Sequence, residues 1–130
     1  MSFPKVLAFD VFGTVVDWHG SISREAVAMI PGVDGHKFAS AWRAGYKPAM
    51  DEVRSGQRGW TKIDDLHRII LDRLLDDFGI TLDEDKRRHL NRAWHRLAPW
   101  PDTVGGMTRL KRKFTLTTLS NGNQIGRAHV

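Results

Sequence analysis

The chain has 130 residues, of which 41% are apolar and 27% are charged, and this balance is typical of one folded domain rather than a disordered segment. It contains no cysteine, which excludes disulfides, cysteine-ligated zinc and a cysteine nucleophile. The formal net charge is +5, but the basic runs lie near predicted helix ends without interleaved aromatic residues. This pattern favours attraction of a small anion over binding of nucleic acid. No apolar run is long enough for a membrane helix and the N-terminus lacks the features of a signal peptide, so we expect a cytoplasmic protein without membrane contact.

The predicted elements begin and end with a strand. Residues 5–10 are a continuous apolar run that ends in a carboxylate, which is typical of a central parallel strand buried on both faces. Apolar residues at helical spacing then predict helices over residues 21–30, 36–54, 61–79 and 83–97, and a short helix over 104–110. Residues 114–119 are rich in threonine and leucine and predict the second strand.

A few residues set the predicted helix boundaries. Pro48 is expected to kink or interrupt the helix over 36–54. Thr61 with Asp64 resembles a capping box, in which aspartate stands in for the usual glutamate, and predicts the start of the next helix. Gly79 is expected to end that helix.

The order of these elements predicts an α/β fold. A strand, a set of helices and a second strand indicate a parallel sheet with right-handed crossovers. The helical segment of roughly 80 residues is too long for a simple crossover, so it predicts a separate cap inserted into the core. The expected boundaries are residues 1–16 and 98–123 for a Rossmann-like core, incomplete in this chain, and residues 17–97 for the helical cap.

Polar residues follow both predicted strands. Asp10 and Thr14 come after the first strand, and Ser120 and Asn121 come after the second. In open α/β sheets, active sites lie beyond the carboxyl ends of the strands, so these two clusters are expected side by side. A lone aspartate before a glycine turn is as often structural as functional. With Thr14 and the second cluster nearby, a nucleophilic carboxylate that forms an ester or an acyl phosphate is favoured.

These motifs resemble those of a known superfamily. Phe9-Asp10-Val11-Phe12-Gly13-Thr14 resembles the first motif of the haloacid dehalogenase superfamily, and more narrowly that of the type II (S)-2-haloacid dehalogenases. Leu119-Ser120-Asn121-Gly122 resembles the second motif, and Ala41-Trp42-Arg43 resembles the cap segment that carries the halide-site arginine. The resemblance spans residues 3–123 and implies an enzyme that needs neither a cofactor nor a metal.

The resemblance also implies a role for each matching residue. Asp10 would attack C2 of a short, anionic 2-haloalkanoic acid, and water would then hydrolyse the aspartyl ester to a 2-hydroxy acid. Thr14 would orient Asp10 by hydrogen bonding. Arg43 and Asn121 would hold the departing halide, and Ser120 would bind the substrate carboxylate. Three further residues are expected to line the substrate: Val11, Phe12 and Trp60.

Position 12 separates two chemistries within the superfamily. Phosphatase members carry a second aspartate there, which acts as acid and base and helps to complete a Mg²⁺ site. Phe12 can neither ligate a hard cation nor transfer a proton, so it favours metal-free displacement at carbon. The dehalogenases usually have tyrosine at this position, so no role of a phenol hydroxyl is carried over. A phosphohydrolase of the same superfamily and a non-catalytic fragment stay open as alternatives.

The end of the chain departs from the family pattern. Members of the family continue for roughly another 100 residues, which supply a motif lysine and a later acidic motif. Residues 124–130 do not continue the expected apolar helix and resemble a translated sequencing adapter, so they are predicted to be an artefactual tail. We therefore expect a C-terminally truncated and inactive fragment, and a homodimer is an open option for its full-length parent.

Overall fold

The computed structural model describes residues 2–120, which fall into two compact units. The first unit is formed by both ends of the described chain, up to Trp18 and again from Leu97. The second unit is His19–Arg96. The boundaries between core and cap expected from the sequence stay a prediction. Asn121 and the predicted tail over 124–130 lie outside the described residues.

Short strands flank a series of helices along the described chain. The structure contains β1 (Val6–Phe9), β2 (Val16–Asp17), α1 (Trp18–Met29), α2 (Gly35–Ala44), α3 (Tyr46–Arg54), α4 (Ile63–Asp77), α5 (Glu84–Asn91), a 3₁₀ helix (Arg92–His95), β3 (Ala98–Pro99), α6 (Thr103–Lys111) and β4 (Thr115–Thr118). Among these helices, none is long and apolar enough to cross a lipid bilayer.

The two predicted strands pair in parallel, as expected. The register joins Val6 of β1 to Thr115 of β4 and Phe9 to Thr118, and α6 packs on β4. The expected burial of β1 on both faces is not met in the described part of the chain, where its side chains alternate between exposed and half-buried. The reason is that β4 is the strand paired with β1 within residues 2–120.

A short antiparallel pair, β2 with β3, was not predicted from the sequence. It joins Val16 to Pro99, and each strand has two residues, too few to show a period in the sequence. The pair folds the segment after β1 back onto a small apolar core. That core consists of Val11, Val15 and Val16, with Phe9, Phe12, Leu97 and Met107 packed against it.

The second unit is built around α4, which packs against α2, α3 and α5. Its largest fully buried side chains are Ile22, Phe38, Trp42, Leu66, Leu71, Leu75 and Leu90. The indole of Trp42 donates a hydrogen bond of 3.0 Å to the carbonyl oxygen of His67, so its polar atom is satisfied inside the core. This unit therefore has a continuous helical core of its own.

The helix predicted over 36–54 is two helices, α2 and α3, and they meet at Gly45. The interruption expected from Pro48 is confirmed, because α2 ends at Ala44, the residue four before Pro48, whose carbonyl oxygen cannot accept a hydrogen bond from a proline. Pro48 itself lies in the first turn of α3, where a missing N–H costs little. Gly45, at the junction, permits a close approach to α4, since a Cβ atom at this position would overlap Cγ2 of Ile70.

The predicted capping box at Thr61 is wrong. Lys62 occupies the N-cap position of α4, and no side chain caps this end of the helix. The hydroxyl of Thr61 donates instead to the carbonyl oxygen of Gly59 at 2.7 Å. A local side-chain hydrogen bond to the preceding loop has therefore replaced the cap.

Of the other predicted helix ends, the one at Gly79 agrees with the structure and two differ from it. Gly79 follows the end of α4 with φ of 67°, and the N–H of Ile80 donates to the carbonyl of Leu75, so the predicted glycine stop is confirmed. The first helix begins at Trp18, directly after Asp17, rather than at Ser21. The helix predicted over 83–97 ends at Asn91 and continues as the 3₁₀ helix.

Candidate active site

The parallel pairing of β1 and β4 brings the two predicted polar clusters to one end of the sheet. Asp10 follows Phe9 directly, and Phe9 lies opposite Thr118 in the register. Beyond the strands, the N–H of Leu119 donates to the carbonyl oxygen of Phe9 at 2.7 Å. Ser120 therefore lies at the same end of the sheet as Asp10, which is exposed there.

A tight turn follows β1 and brings Thr14 back to the carboxylate of Asp10. Gly13 has φ of 90°, a conformation that favours glycine, and its N–H donates to the carbonyl oxygen of Val16 at 2.9 Å. The hydroxyl of Thr14 donates a hydrogen bond of 2.9 Å to Oδ2 of Asp10. Within residues 2–120, the other carboxylate oxygen, Oδ1, accepts no hydrogen bond, so one oxygen of this exposed residue is held and the other is not.

Two residues from the distant segment after β3 hold the same turn. The indole Nε1 of Trp100 donates to the carbonyl oxygen of Gly13 at 3.0 Å. The hydroxyl of Thr103, the first residue of α6, donates to the carbonyl oxygen of Val15 at 2.7 Å. No pattern in the sequence indicates these contacts, because they depend on the unpredicted pairing of β2 with β3.

Val11 and Phe12 lie in the turn but differ in exposure. The side chain of Val11 is buried in the small core, and its carbonyl oxygen accepts backbone hydrogen bonds from Thr14, Val15 and Val16. Phe12 is half-buried and packs against the same core. Their expected contact with a substrate stays a prediction.

Arg43 and Trp60 lie in the second unit. Arg43 is exposed near the end of α2, and its guanidinium carbon lies 4.9 Å from the ring centroid of Tyr46, a cation–π contact. Among the described residues, the guanidinium of Arg43 forms no ion pair with a carboxylate. Trp60 is 84% exposed in the loop between α3 and α4. The roles expected of these residues, and that of Asn121 outside the described part, stay predictions.

His67 is the buried titratable group of the second unit. Its ring stacks on Trp94 with centroids 4.6 Å apart, and its Nδ1 is buried without a hydrogen-bond partner. Burial lowers the pKa of His67 to about 4, with the charge of Arg43 acting in the same direction and that of Asp64 opposing it. His67 is therefore neutral near pH 7. Across residues 2–120, no group of three or more histidine, aspartate or glutamate side chains is arranged to hold a metal ion.

No family model matches the chain. Two curated proteins that carry the same family name do match nearly its whole length. It is 30% identical over 124 residues to an (S)-2-haloacid dehalogenase of Pseudomonas sp. (strain YL), covering 95% of this chain and 52% of that protein. A second (S)-2-haloacid dehalogenase, from Pseudomonas sp. (strain CBS-3), is 29% identical over 128 residues, covering 92% of this chain and 52% of that protein.

Solved structures give the same result. The crystal structure of an L-2-haloacid dehalogenase superposes with a TM-score of 0.89 at 42% identity, covering 99% of this chain and 57% of that one. A defluorinating L-2-haloacid dehalogenase superposes with a TM-score of 0.86 at 40% identity, covering 97% and 56%. These matches confirm the predicted α/β fold with a helical cap and the resemblance to this family. The chain spans about half the length of the curated relatives that it matches.

Proposed function

We propose that this chain, which belongs to the haloacid dehalogenase family, is part of an enzyme that hydrolyses short 2-haloalkanoic acids to 2-hydroxy acids. The observation that carries the proposal is the exposed Asp10 at the carboxyl end of β1, whose Oδ2 is held by Thr14 while Oδ1 accepts no hydrogen bond within residues 2–120. Relatives at 40% and 42% identity that are named L-2-haloacid dehalogenases support it.

In the first step, Oδ1 of Asp10 attacks C2 of the substrate. A carbon–oxygen bond forms, the carbon–halogen bond breaks, and the halide departs with the bonding electron pair. The hydrogen bond from Thr14 limits rotation of the carboxylate, so that Oδ1 can be held in a near-attack geometry. The product of this step is an ester between Asp10 and the 2-carbon of the acid.

In the second step, water hydrolyses that ester. The water oxygen attacks Cγ of Asp10, the bond between Cγ and the ester oxygen breaks, and the 2-hydroxy acid leaves. The carboxylate of Asp10 is restored with an oxygen from water. In total, one water is consumed, and one halide ion and one proton are released.

The remaining predicted residues bind the substrate in this proposal. Arg43 presents a cation without a carboxylate partner among the described residues, which suits it to stabilise the departing halide. Asn121 is proposed to assist Arg43, and the hydroxyl of Ser120 to bind the substrate carboxylate. Val11, Phe12 and Trp60 are proposed to line the substrate. A cytoplasmic location and a homodimeric full-length protein stay predictions.

Because the chain spans about half of its relatives, the activity is best tested in a chimera. In this chimera, residues 1–120 of the chain replace the matching segment of the L-2-haloacid dehalogenase to which it is 42% identical. The purified chimera is incubated with 2-chloropropionate and the released chloride is measured. We expect release without added metal and undiminished by a chelator. Asp10→Asn should abolish it, whereas Asp102→Asn, at an exposed carboxylate that caps no helix N–H with its side chain, should not.

Two results would contradict the proposal. A folded chimera that releases no chloride would show that this half of the fold does not support dehalogenation. A chimera that releases phosphate from phosphomonoesters, and loses this activity with a chelator, would establish the phosphohydrolase alternative. Mass spectrometry of protein quenched during turnover should detect the substrate's carbon skeleton attached to the peptide that contains Asp10.

A further inference from the structure

We propose that Thr103 and Trp100 are positioning residues for Asp10, acting through the turn that carries Thr14. This inference rests on the proposed function, because it assigns the purpose of the turn to the reaction at Asp10. Neither residue forms a hydrogen bond with Asp10 itself within residues 2–120. Both instead hold backbone carbonyls that flank Thr14 on its two sides.

The turn alone is weakly constrained at its tip. Its backbone hydrogen bonds from Thr14, Val15 and Val16 to the carbonyl oxygen of Val11 measure 3.2, 3.0 and 3.2 Å. Thr14 is exposed, and so is the glycine that precedes it. Turn tips whose residues are exposed to solvent and make few buried contacts open readily, even when their backbone hydrogen bonds are formed. The position of the Thr14 hydroxyl therefore needs support from outside the turn.

Trp100 and Thr103 supply that support from a part of the chain more than 80 residues away. Trp100 binds the carbonyl oxygen of Gly13, the residue before Thr14. Thr103 binds the carbonyl oxygen of Val15, the residue after Thr14, and the backbone N–H of Trp100 donates to the same oxygen at 3.2 Å. The turn is thus clamped on both sides of the residue whose hydroxyl holds Asp10.

The two donors, Trp100 and Thr103, are joined to regular secondary structure. Thr103 is the first residue of α6, and the strand β3 that precedes Trp100 is paired with β2. Thr103 is therefore part of a helix, and Trp100 directly follows a paired strand. Removing one donor should let the turn and Thr14 shift, and small displacements of a reacting group are costly because attack requires close alignment.

The sharpest test is a matched pair of variants at Thr103 in the chimera. Thr103→Val keeps the side-chain shape but removes the hydroxyl, and Thr103→Ser keeps the hydroxyl. We expect Thr103→Val to lower kcat/KM for 2-chloropropionate about five- to tenfold, and Thr103→Ser to restore it. Trp100→Phe, which keeps an aromatic ring but removes the indole N–H, should lower kcat/KM in the same direction.

Thr108→Val is the matched control. The hydroxyl of Thr108 lies in the same helix and donates to the carbonyl of Val104 at 2.6 Å, so this hydrogen bond stays within the helix and does not involve the turn. Its loss should leave kcat/KM unchanged. Each variant is compared by thermal unfolding, and rates are measured well below the unfolding transition, so that lost stability is not counted as lost activity.

A double variant separates positioning from general support of the fold. If Thr103 acts through Thr14, then Thr103→Val should cause no further loss in a Thr14→Val background, whereas independent effects would multiply. Hydrogen exchange of the amides at residues 13–16 should also be faster in Thr103→Val than in Thr108→Val. Together these results would support the inference.

The failures are distinguishable. An active chimera in which Thr103→Val has normal kcat/KM, or in which Thr103→Ser is equally impaired, would overturn the positioning role and leave the proposed function standing. Multiplying effects in the double variant would show that Thr103 acts independently of Thr14, and would likewise overturn the inference. A folded, unsubstituted chimera without halide release would overturn the proposed function, and this inference with it.

Discussion

The role proposed for Arg43 predicts a large effect of its removal on activity and a small effect on folding. It is exposed on α2 and contacts the face of Tyr46, an interaction worth about 0.5–1 kcal/mol at an exposed site. We expect Arg43→Ala in the chimera to lower dehalogenation on the order of a hundredfold or more, because a cation aimed at developing negative charge is lost. Its unfolding temperature should change little.

Arg92→Ala is the matched control for that prediction. Arg92 is an exposed arginine in the same unit, at the start of the 3₁₀ helix, and it forms no ion pair within residues 2–120. Halide release and circular dichroism melts of both variants are measured side by side. Turnover of Arg43→Ala close to that of the unsubstituted protein would mean that Arg43 is only a solvated helical arginine.

His67 makes the stability of the second unit depend on pH. Because burial lowers the pKa of His67 to about 4, the folded state strongly favours the neutral ring, whereas an unfolded histidine titrates with its ordinary pKa of 6.5. The stability that follows is present above pH 6.5 and is lost as the pH falls towards 4. The loss cannot exceed about 1.4 kcal/mol per pH unit from this one group.

The measurement is the unfolding temperature of the chimera between about pH 7 and pH 5, above the range in which carboxylates dominate. His67→Phe should show a shallower decline than the unsubstituted protein, even if its stability at neutral pH differs. His36→Phe, at an exposed histidine, serves as the control. Parallel pH profiles for His67→Phe and the unsubstituted protein would contradict the prediction.

At the scale of elements, sequence patterns predicted the long helices and the two parallel strands. They did not predict the features that depend on contacts between distant residues. The apolar period marked α4, and Gly79 marked its end, because both are local properties. Pro48 marked the break between α2 and α3, but the need for glycine at position 45 could not be predicted, since it depends on the approach of Ile70 from another helix. The antiparallel pairing of β2 with β3 was not predicted either, because it joins two-residue strands from distant parts of the chain. At the site, the motif predicted the hydrogen bond from Thr14 to Asp10, which the structure contains, but not the hydrogen bonds from Trp100 and Thr103 to the turn.

The junction between α2 and α3 should tolerate no added methyl group. Gly45→Ala would place Cβ against the stiff, buried side chain of Ile70, so we expect a destabilisation of about 1–3 kcal/mol. Gly106→Ala is the opposite case, because a Cβ atom at this position in α6 meets no atom within 4 Å. That change should stabilise by about 0.5–1 kcal/mol. Denaturant unfolding of both variants tests the pair, and equal effects of the same sign would contradict the steric argument.

At the scale of the whole molecule, the two units differ in how much apolar surface they bury. The second unit contains every fully buried large side chain among the described residues, from Ile22 to Leu90. The buried core of the first unit is three valines. Several of its apolar side chains are exposed to differing degrees, namely Phe3, Val6, Val104 and Leu119. Burial of apolar surface is the main stabilising contribution in folding, so the first unit should be the weaker one.

This asymmetry predicts the behaviour of the 130-residue chain expressed alone. We expect it to release no measurable halide and to show a broad unfolding transition. The reason is that β1 exposes Val6 and Ala8 and that, within residues 2–120, β1 and β4 pair only with each other, which leaves strand edges that promote association. Limited proteolysis followed by mass spectrometry should cut first within residues 1–18 and 97–120, and leave a protected segment within residues 19–96, whose contacts are largely between neighbouring helices. The chimera, treated in parallel, should protect both units. A sharp cooperative melt with dehalogenase turnover from the 130 residues alone would contradict the prediction, and so would protection of the first unit in place of the second.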